Sequence, residues 1–157
     1  WNKPLGRRIA RGLSAQVSFA SFIATVVEAE IDEDGEIHLR RITSAVDTGI
    51  AVNPDTIVAQ LQGGLIFGLT AALYGEITID KGRVQQSNFN DYRMLRINQT
   101  PPIDIHLIKS GEAPGGIGET GATAGPPALA NAIAAATGIR LRRLPIDRNL
   151  LATGKKA

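Results

Sequence analysis

The residues best placed to do chemistry lie in one stretch, Gly111-Glu112-Ala113-Pro114-Gly115-Gly116-Ile117-Gly118-Glu119-Thr120-Gly121, which holds five glycines and a proline in eleven positions. Glycine lets a backbone approach a ligand closely and adopt positive φ angles. An alanine-rich run from Ala122 to Gly138 follows and predicts a helix. A helix N-terminus offers unpaired N–H groups and partial positive charge, so a glycine loop feeding one suits an anionic ligand. Glu119 is a carboxylate set among those donors. That placement fits a catalytic acid or base beside a charged cofactor better than a plain phosphate cradle. The plainer alternative is a tight turn leading into a buried helix. Gln60 and Gln62 are two further candidates. They stand in a stretch with no charge from Thr56 to Gly75, where each amide needs a backbone partner or a polar ligand.

Other motifs fit less well. Gly116-Ile117-Gly118-Glu119-Thr120-Gly121 has the form G-x-G-x-x-G. The dinucleotide fingerprint also needs a strand immediately before it and an acidic residue about 20 positions later. Here the preceding strand ends near Ile108, and the residues near 141 are leucine and arginine. No Lys-Ser or Lys-Thr follows the loop, so a Walker phosphate loop is excluded. His38 and His106 lack the spacing of paired metal ligands and read as strand residues. Ser110 has no nucleophile elbow around it.

The elements that must position these residues can be read in order. β-branched and aromatic residues predict a strand over about 19–31. Asp32-Glu33-Asp34-Gly35 is a turn, and 36–46 returns as a second strand with alternating apolar positions. Asn53 suits an N-cap, Pro54 the first helical position and Asp55 the first turn. A helix is expected from Pro54 to Tyr74, roughly 30 Å long. Because it is apolar nearly all round, it reads as a buried central helix. Its length would also allow a membrane crossing, but Gln60, Gln62, Thr70 and three glycines speak against a transmembrane segment. Residues 76–80 and 83–87 form a second hairpin, 103–108 alternate as a strand, and 139–146 make a short extended finish, with Gly138 as the preceding helix's C-cap. The pattern is α+β: antiparallel hairpins, a long buried helix and a second helix capped by the glycine loop.

Composition narrows the function classes. The chain has no cysteine, which excludes disulfides and an iron–sulfur cluster held by this chain alone. It opens on Trp1, not Met, as expected of a piece of a longer protein. Basic groups gather at both ends: Lys3, Arg7, Arg8 and Arg11 first, then six between Arg140 and Lys156 against Asp147. These ends read as solvated tails or contacts with a larger protein. Nucleic acid is not the expected partner, because no aromatics interleave with the arginines.

Three blocks then resemble the molybdenum hydroxylases, the aldehyde oxidase and xanthine dehydrogenase family, and within it the large subunit of the isoquinoline 1-oxidoreductase type. They are residues 45–54 (Ala-Val-Asp-Thr-Gly-Ile-Ala-Val-Asn-Pro), residues 60–69 (Gln-Leu-Gln-Gly-Gly-Leu-Ile-Phe-Gly-Leu), and residues 115–119 (Gly-Gly-Ile-Gly-Glu) followed by 126–133 (Pro-Pro-Ala-Leu-Ala-Asn-Ala-Ile). Their order and spacing agree with the family over nearly the whole chain. The resemblance implies that residues 1–157 form a C-terminal molybdopterin-binding subdomain of a larger subunit. It implies that Glu119 is the general base at the molybdenum, in the oxidation of an aldehyde or N-heteroaromatic carbon with water-derived oxygen. Gln60 would bind the molybdopterin, in its cytosine dinucleotide form, and Gly116, Ile117 and Gly118 would supply the loop that touches it. The partners implied are the rest of the large subunit and a small [2Fe–2S] subunit as electron acceptor. Phe67 stands where many members carry a second glutamine, and residues 120–125 depart from the family's proline-bearing versions. A non-catalytic scaffold domain and a nucleotide-binding module are the rival readings.

Overall fold

The computed structural model describes residues 3–153. Three strands come first: β1 (Ile9–Ser18), β2 (Ser21–Ile31) and β3 (Ile37–Asp47). Helix α1 (Pro54–Tyr74) follows, then the two-residue strands β4 (Ile79–Asp80) and β5 (Arg83–Val84), β6 (Ile103–Leu107) and helix α2 (Thr120–Thr137). The α+β class read from the pattern is the class observed.

Alternation in sequence sets the two faces of the main sheet. Every second residue of β2 is buried, from Ser21 through Ile23, Thr25, Val27 and Ala29 to Ile31. Ile42, Ser44 and Val46 continue that face on β3. The sheet order is β1-β2-β3-β6. The first three strands run antiparallel, and β6 lies parallel to β3. A parallel neighbour requires a crossover, and α1 lies within that connection. Both helices cover the same face of the sheet, with α2 against β1 and β2, and α1 against α2 and β6. The main core joins Val27, Ile31 and Ile42 to Leu65, Leu69, Leu129 and Ile133. Each such side chain contributes about 1.5–3 kcal/mol by leaving water. Two buried hydroxyls, Thr25 and Ser44, bond each other across the strands at 2.8 Å, which removes the cost of burying them.

Capping follows the sequence. The Asn53 side chain accepts from the Thr56 N–H at 3.2 Å, Pro54 opens α1, and Gly138 ends α2 at φ 78°. The helices cross where side chains are smallest. A Cβ on Gly68 would lie 2.2 Å from the Ala122 carbonyl oxygen, so only glycine permits this approach. By length and composition α1 could span a membrane. In this fold it buries Leu61, Leu65, Leu69 and Leu73 in the core and leaves Phe67 65% exposed on the opposite face.

Three expectations change. The strand expected over about 19–31 starts at Ser21 and is preceded by a further strand, β1. Part of the basic first stretch is therefore sheet, not tail. The Arg8 guanidinium donates to the Ile31 and Leu151 carbonyls, and Arg11 pairs with Glu28. The turn that separates β1 from β2 is Phe19-Ala20, two residues that carry no turn signal, which is why composition hides it. The second hairpin shrinks to β4 and β5, because nothing covers Ile79 or Val84, which are 70% and 54% exposed. Trp1, Asn2 and the terminal lysines lie outside the described residues.

Candidate functional site

Three of the expected site residues meet in a cleft of about 490 Å³ between α1 and the start of α2. Gln60, Gly63, Gly64 and Phe67 line it from α1, a set spaced three and four apart along one helix face. Gly118, Glu119, Ala122 and Thr123 line it from the loop and α2. A Cβ placed on Gly63 or on Gly118 would meet nothing within 4 Å, so both glycines open onto unfilled space. Gln60 joins the two sides by donating from Nε2 to the Gly118 carbonyl at 2.6 Å. Of the two roles open to it, backbone partner and ligand contact, the first is made here. The Gln60 amide oxygen makes no hydrogen bond among the described residues.

Glu119 occupies the N-cap position of α2, at φ −122° and ψ −5°. Its carboxylate makes no capping bond to the helix, and Glu119 is exposed at the cleft. Its backbone carbonyl does the local work by accepting from the Ala122 and Thr123 N–H groups. An 18-residue helix therefore starts beside a carboxylate that its own backbone does not use. The partial positive charge at that end favours an anionic group nearby.

Gly116 and Ile117, also expected at the site, stand one step behind it. Ile117 packs on the small apolar cluster of Ile23, Val46, Leu61 and Ala124. Gly116 faces the β1–β2 turn, where its N–H donates to the Phe19 carbonyl at 2.7 Å. Gly115 donates to the Thr48 carbonyl at 2.8 Å. The carbonyl of Gly116 accepts from the Ser21 hydroxyl at 2.7 Å and from Thr120 at 3.3 Å. A Cβ on Gly115 would come within 2.5 Å of Ser21 Oγ and 2.7 Å of the Ala20 carbonyl oxygen. These glycines are thus required for close packing against the turn, whereas Gly118 faces the cleft.

Sequence reasoning missed Thr123, Ser21 and the aromatic wall made by Phe67. Spacing could have found Phe67, which lies seven residues after Gln60 on the same helix face. The Ser21 contact depends on the unseen turn. His38 sits at the surface against Asp32, with Nε2 to Oδ2 at 3.0 Å, and His106 is an exposed residue of β6. Among the described residues no three His, Cys, Asp or Glu side chains converge as metal ligands. A larger cleft of about 870 Å³ lies at the other ends of the helices, around Tyr74, Arg93 and Arg140–Arg143. It contains none of the expected residues, whereas carboxylate, amide and open glycines coincide in the smaller cleft.

Comparison with known proteins agrees with this architecture. Residues 9–101 match the family model described as molybdopterin cofactor-binding domain. The chain is 37% identical over 153 residues to the beta subunit of isoquinoline 1-oxidoreductase from Brevundimonas diminuta, covering 97% of this chain and 20% of that protein. It is 29% identical over 105 residues to the large subunit of nicotine 6-hydroxylase from Paenarthrobacter nicotinovorans, covering 63% of this chain and 13% of that one. Among solved structures, aldehyde oxidoreductase from Desulfovibrio gigas superposes with a TM-score of 0.69 and 26% identity, over 80% of this chain and 14% of that one. Quinoline 2-oxidoreductase from Pseudomonas putida 86 shares the fold with a TM-score of 0.75, over 83% of this chain and 18% of that one. The chain thus spans about a fifth or less of the length of these relatives.

Proposed function

From the premise that this chain belongs to the molybdopterin cofactor-binding domain family of the molybdenum hydroxylases, we propose that it forms one wall of a hydroxylase active site in which Glu119 is the general base. The observation that carries this reading is the uncommitted Glu119 carboxylate at the glycine-lined cleft it shares with Gln60. The cleft fits the cofactor on its own geometry. Gly63 and Gly118 leave room that any side chain would fill, the α2 N-terminus favours an anionic group, and Gln60 offers an amide oxygen.

When bound, molybdenum–molybdopterin supplies the two-electron chemistry and makes a water-derived oxygen more acidic. The chain's own residues do the rest. Gln60 holds the Gly118 carbonyl and turns its remaining polar edge to the cofactor. Gly118 would face the cofactor, taken here in its cytosine dinucleotide form, with Gly116 and Ile117 holding that backbone from behind. Glu119 would take a proton from the water-derived oxygen, which would replace a hydrogen on an electron-poor carbon of an aldehyde or of a nitrogen heterocycle, the displaced hydrogen leaving with the electron pair that the cofactor's two-electron chemistry would accept. Phe67 gives the cleft an apolar wall suited to a flat substrate or ring system. The remainder of a longer large subunit would complete the site, and electrons would leave through a separate [2Fe–2S] subunit.

Replacing Glu119 with Gln in the assembled, cofactor-loaded enzyme tests the reading. Loss of a positioned general base lowers kcat by about 100-fold or more. Folding and molybdenum content should stay unchanged. Turnover within a few-fold of wild type would overturn the assignment and favour a scaffold role.

A further inference from the structure

We infer that Ser21, on the strand opposite the cleft, is a positioning residue for Glu119, and that the β1–β2 turn is the brace through which it acts. This rests on the reading of Glu119 as the base. The loop carrying Glu119 is fixed at two points. Gln60 holds it on the cleft side at the Gly118 carbonyl. On the other side Gly115 and Gly116 share four bonds, to the Thr48 and Phe19 carbonyls and to the Ser21 and Thr120 hydroxyls. Between them Ile117 is seated in its apolar cluster. Glu119 follows Gly118 directly, so its backbone inherits the position of both clamps.

Ser21 is the strongest polar side-chain element of the second clamp. It is fully buried, and its 2.7 Å bond to the Gly116 carbonyl is much shorter than the 3.3 Å bond from Thr120. A buried hydroxyl placed on a loop carbonyl fixes the loop's rotation about that peptide. The turn beside it is held in an unfavourable shape, with Phe19 at φ 52° and Ala20 at φ 61°, neither being glycine. Strained backbone survives where surrounding contacts over-determine it. Here those contacts are the Gly116 N–H on the Phe19 carbonyl and the close packing of Gly115 on Ala20. The strained turn, the buried hydroxyl and the two crowded glycines make one device whose output is the position of residues 116–119.

The test uses the assembled, cofactor-loaded enzyme carrying Ser21→Ala, with Thr120→Val and Glu119→Gln in parallel. Small displacements of a reacting group cost roughly 10-fold to 100-fold in rate. Ser21→Ala is expected to lower kcat by about 10-fold with KM and molybdenum content unchanged, and Thr120→Val by about 2-fold, in line with its longer bond. Hydrogen exchange gives a readout independent of turnover. In Ser21→Ala the amides of 115–118 should exchange several-fold faster, with the core of β2 and β3 unchanged. If Ser21→Ala keeps kcat within 2-fold and leaves loop exchange unaltered, the inference falls. Should Ser21→Ala fail to assemble, Ser21→Cys, which keeps the side chain's size but weakens its bond to the Gly116 carbonyl, takes its place, and an unchanged kcat with unchanged exchange overturns the brace. Glu119→Gln separates the two readings. An active Glu119→Gln enzyme sinks the base assignment, whereas an inactive one beside a silent Ser21→Ala sinks only the brace.

Discussion

Two tight hairpin turns in this chain have the same backbone and opposite surroundings. Phe19-Ala20 joins β1 to β2 between the paired residues Ser18 and Ser21, and Lys81-Gly82 joins β4 to β5 between Asp80 and Arg83. All four central residues have positive φ: 52° and 61° in the first turn, 48° and 78° in the second. Such turns match the twist of the strands they join. A residue with a side chain is disfavoured there by about 1–2 kcal/mol. The second turn meets this with a glycine at one position, where an added Cβ would meet nothing within 4 Å. The first has no glycine, yet its backbone meets Gly115 and Gly116 at contact distance. The unfavourable sequence is found where the turn meets another loop, and the easier one where its glycine faces open space.

The most forceful way to break this contrast is to add a methyl group on each side. Gly115→Ala drives a Cβ into Ser21 Oγ and the Ala20 carbonyl, neither of which can move without disturbing β2. Overpacking of that kind costs about 1–3 kcal/mol. Gly82→Ala has free space and incurs only the left-handed conformation, about 1 kcal/mol. Urea unfolding of the two variants should rank them in that order, and only Gly115→Ala should also depress turnover in the assembled enzyme. Equal midpoints would mean that the first turn and the loop are less tightly joined than these distances imply.

A gentler change relieves strain instead of adding it. Ala20→Gly and Lys81→Gly each remove one unfavourable left-handed residue, against the larger chain entropy of glycine when unfolded. The net gain is about 0.5–1 kcal/mol at either site. The Gly116 N–H bond goes to the Phe19 backbone, so Ala20→Gly leaves that brace intact. The unfolding midpoint should rise in both variants. No rise at position 20 would show that neighbouring contacts, and not φ, set the energy of that turn.

The same pair explains what could be read in advance. Lys81-Gly82 announced a hairpin because glycine is the usual holder of a positive φ. Phe19-Ala20 looked like strand, so β1 and the whole second clamp were hidden. The α1 boundaries were legible because Asn53, Pro54 and Asp55 each obey a local rule. So was the C-cap at Gly138. The α2 start was legible to within two residues, Ala122 against the observed Thr120, whereas Pro126 and Pro127 inside the helix run against the local rule. At the candidate site, Glu119 and Gln60 were singled out by residue type and family resemblance, whereas their meeting across one cleft depends on the close helix crossing at Gly68. Phe67, by contrast, needed only the helical period.

A third turn makes the smallest and most local test. Asp32, between β2 and β3, holds its own turn: Oδ1 accepts from the Asp34 and Glu36 N–H groups at 3.0 and 2.8 Å, and His38 meets Oδ2 at 3.0 Å. The His38 bond, with help from the Glu36 and Asp34 amides, holds the Asp32 carboxyl below its ordinary value of 3.8. A carboxyl whose folded pKa is depressed supports the fold above its unfolded value and loses that support as pH falls through the folded one. Replacing His38 with Ala should therefore move the Asp32 titration midpoint up toward 3.8, so that the turn loosens at a higher pH on acidification. An NMR titration of the Asp32 carboxyl reads this directly. An unmoved midpoint would show that the backbone amides alone hold the group. Either way residues 115–118 should be unaffected, since this turn rests on the Asp32 side chain and on the 148–153 segment, where the Thr153 N–H donates to the Glu33 carbonyl at 3.0 Å, and not on the glycine loop. The β1–β2 turn, which has no such side chain, is fixed instead by the loop it positions.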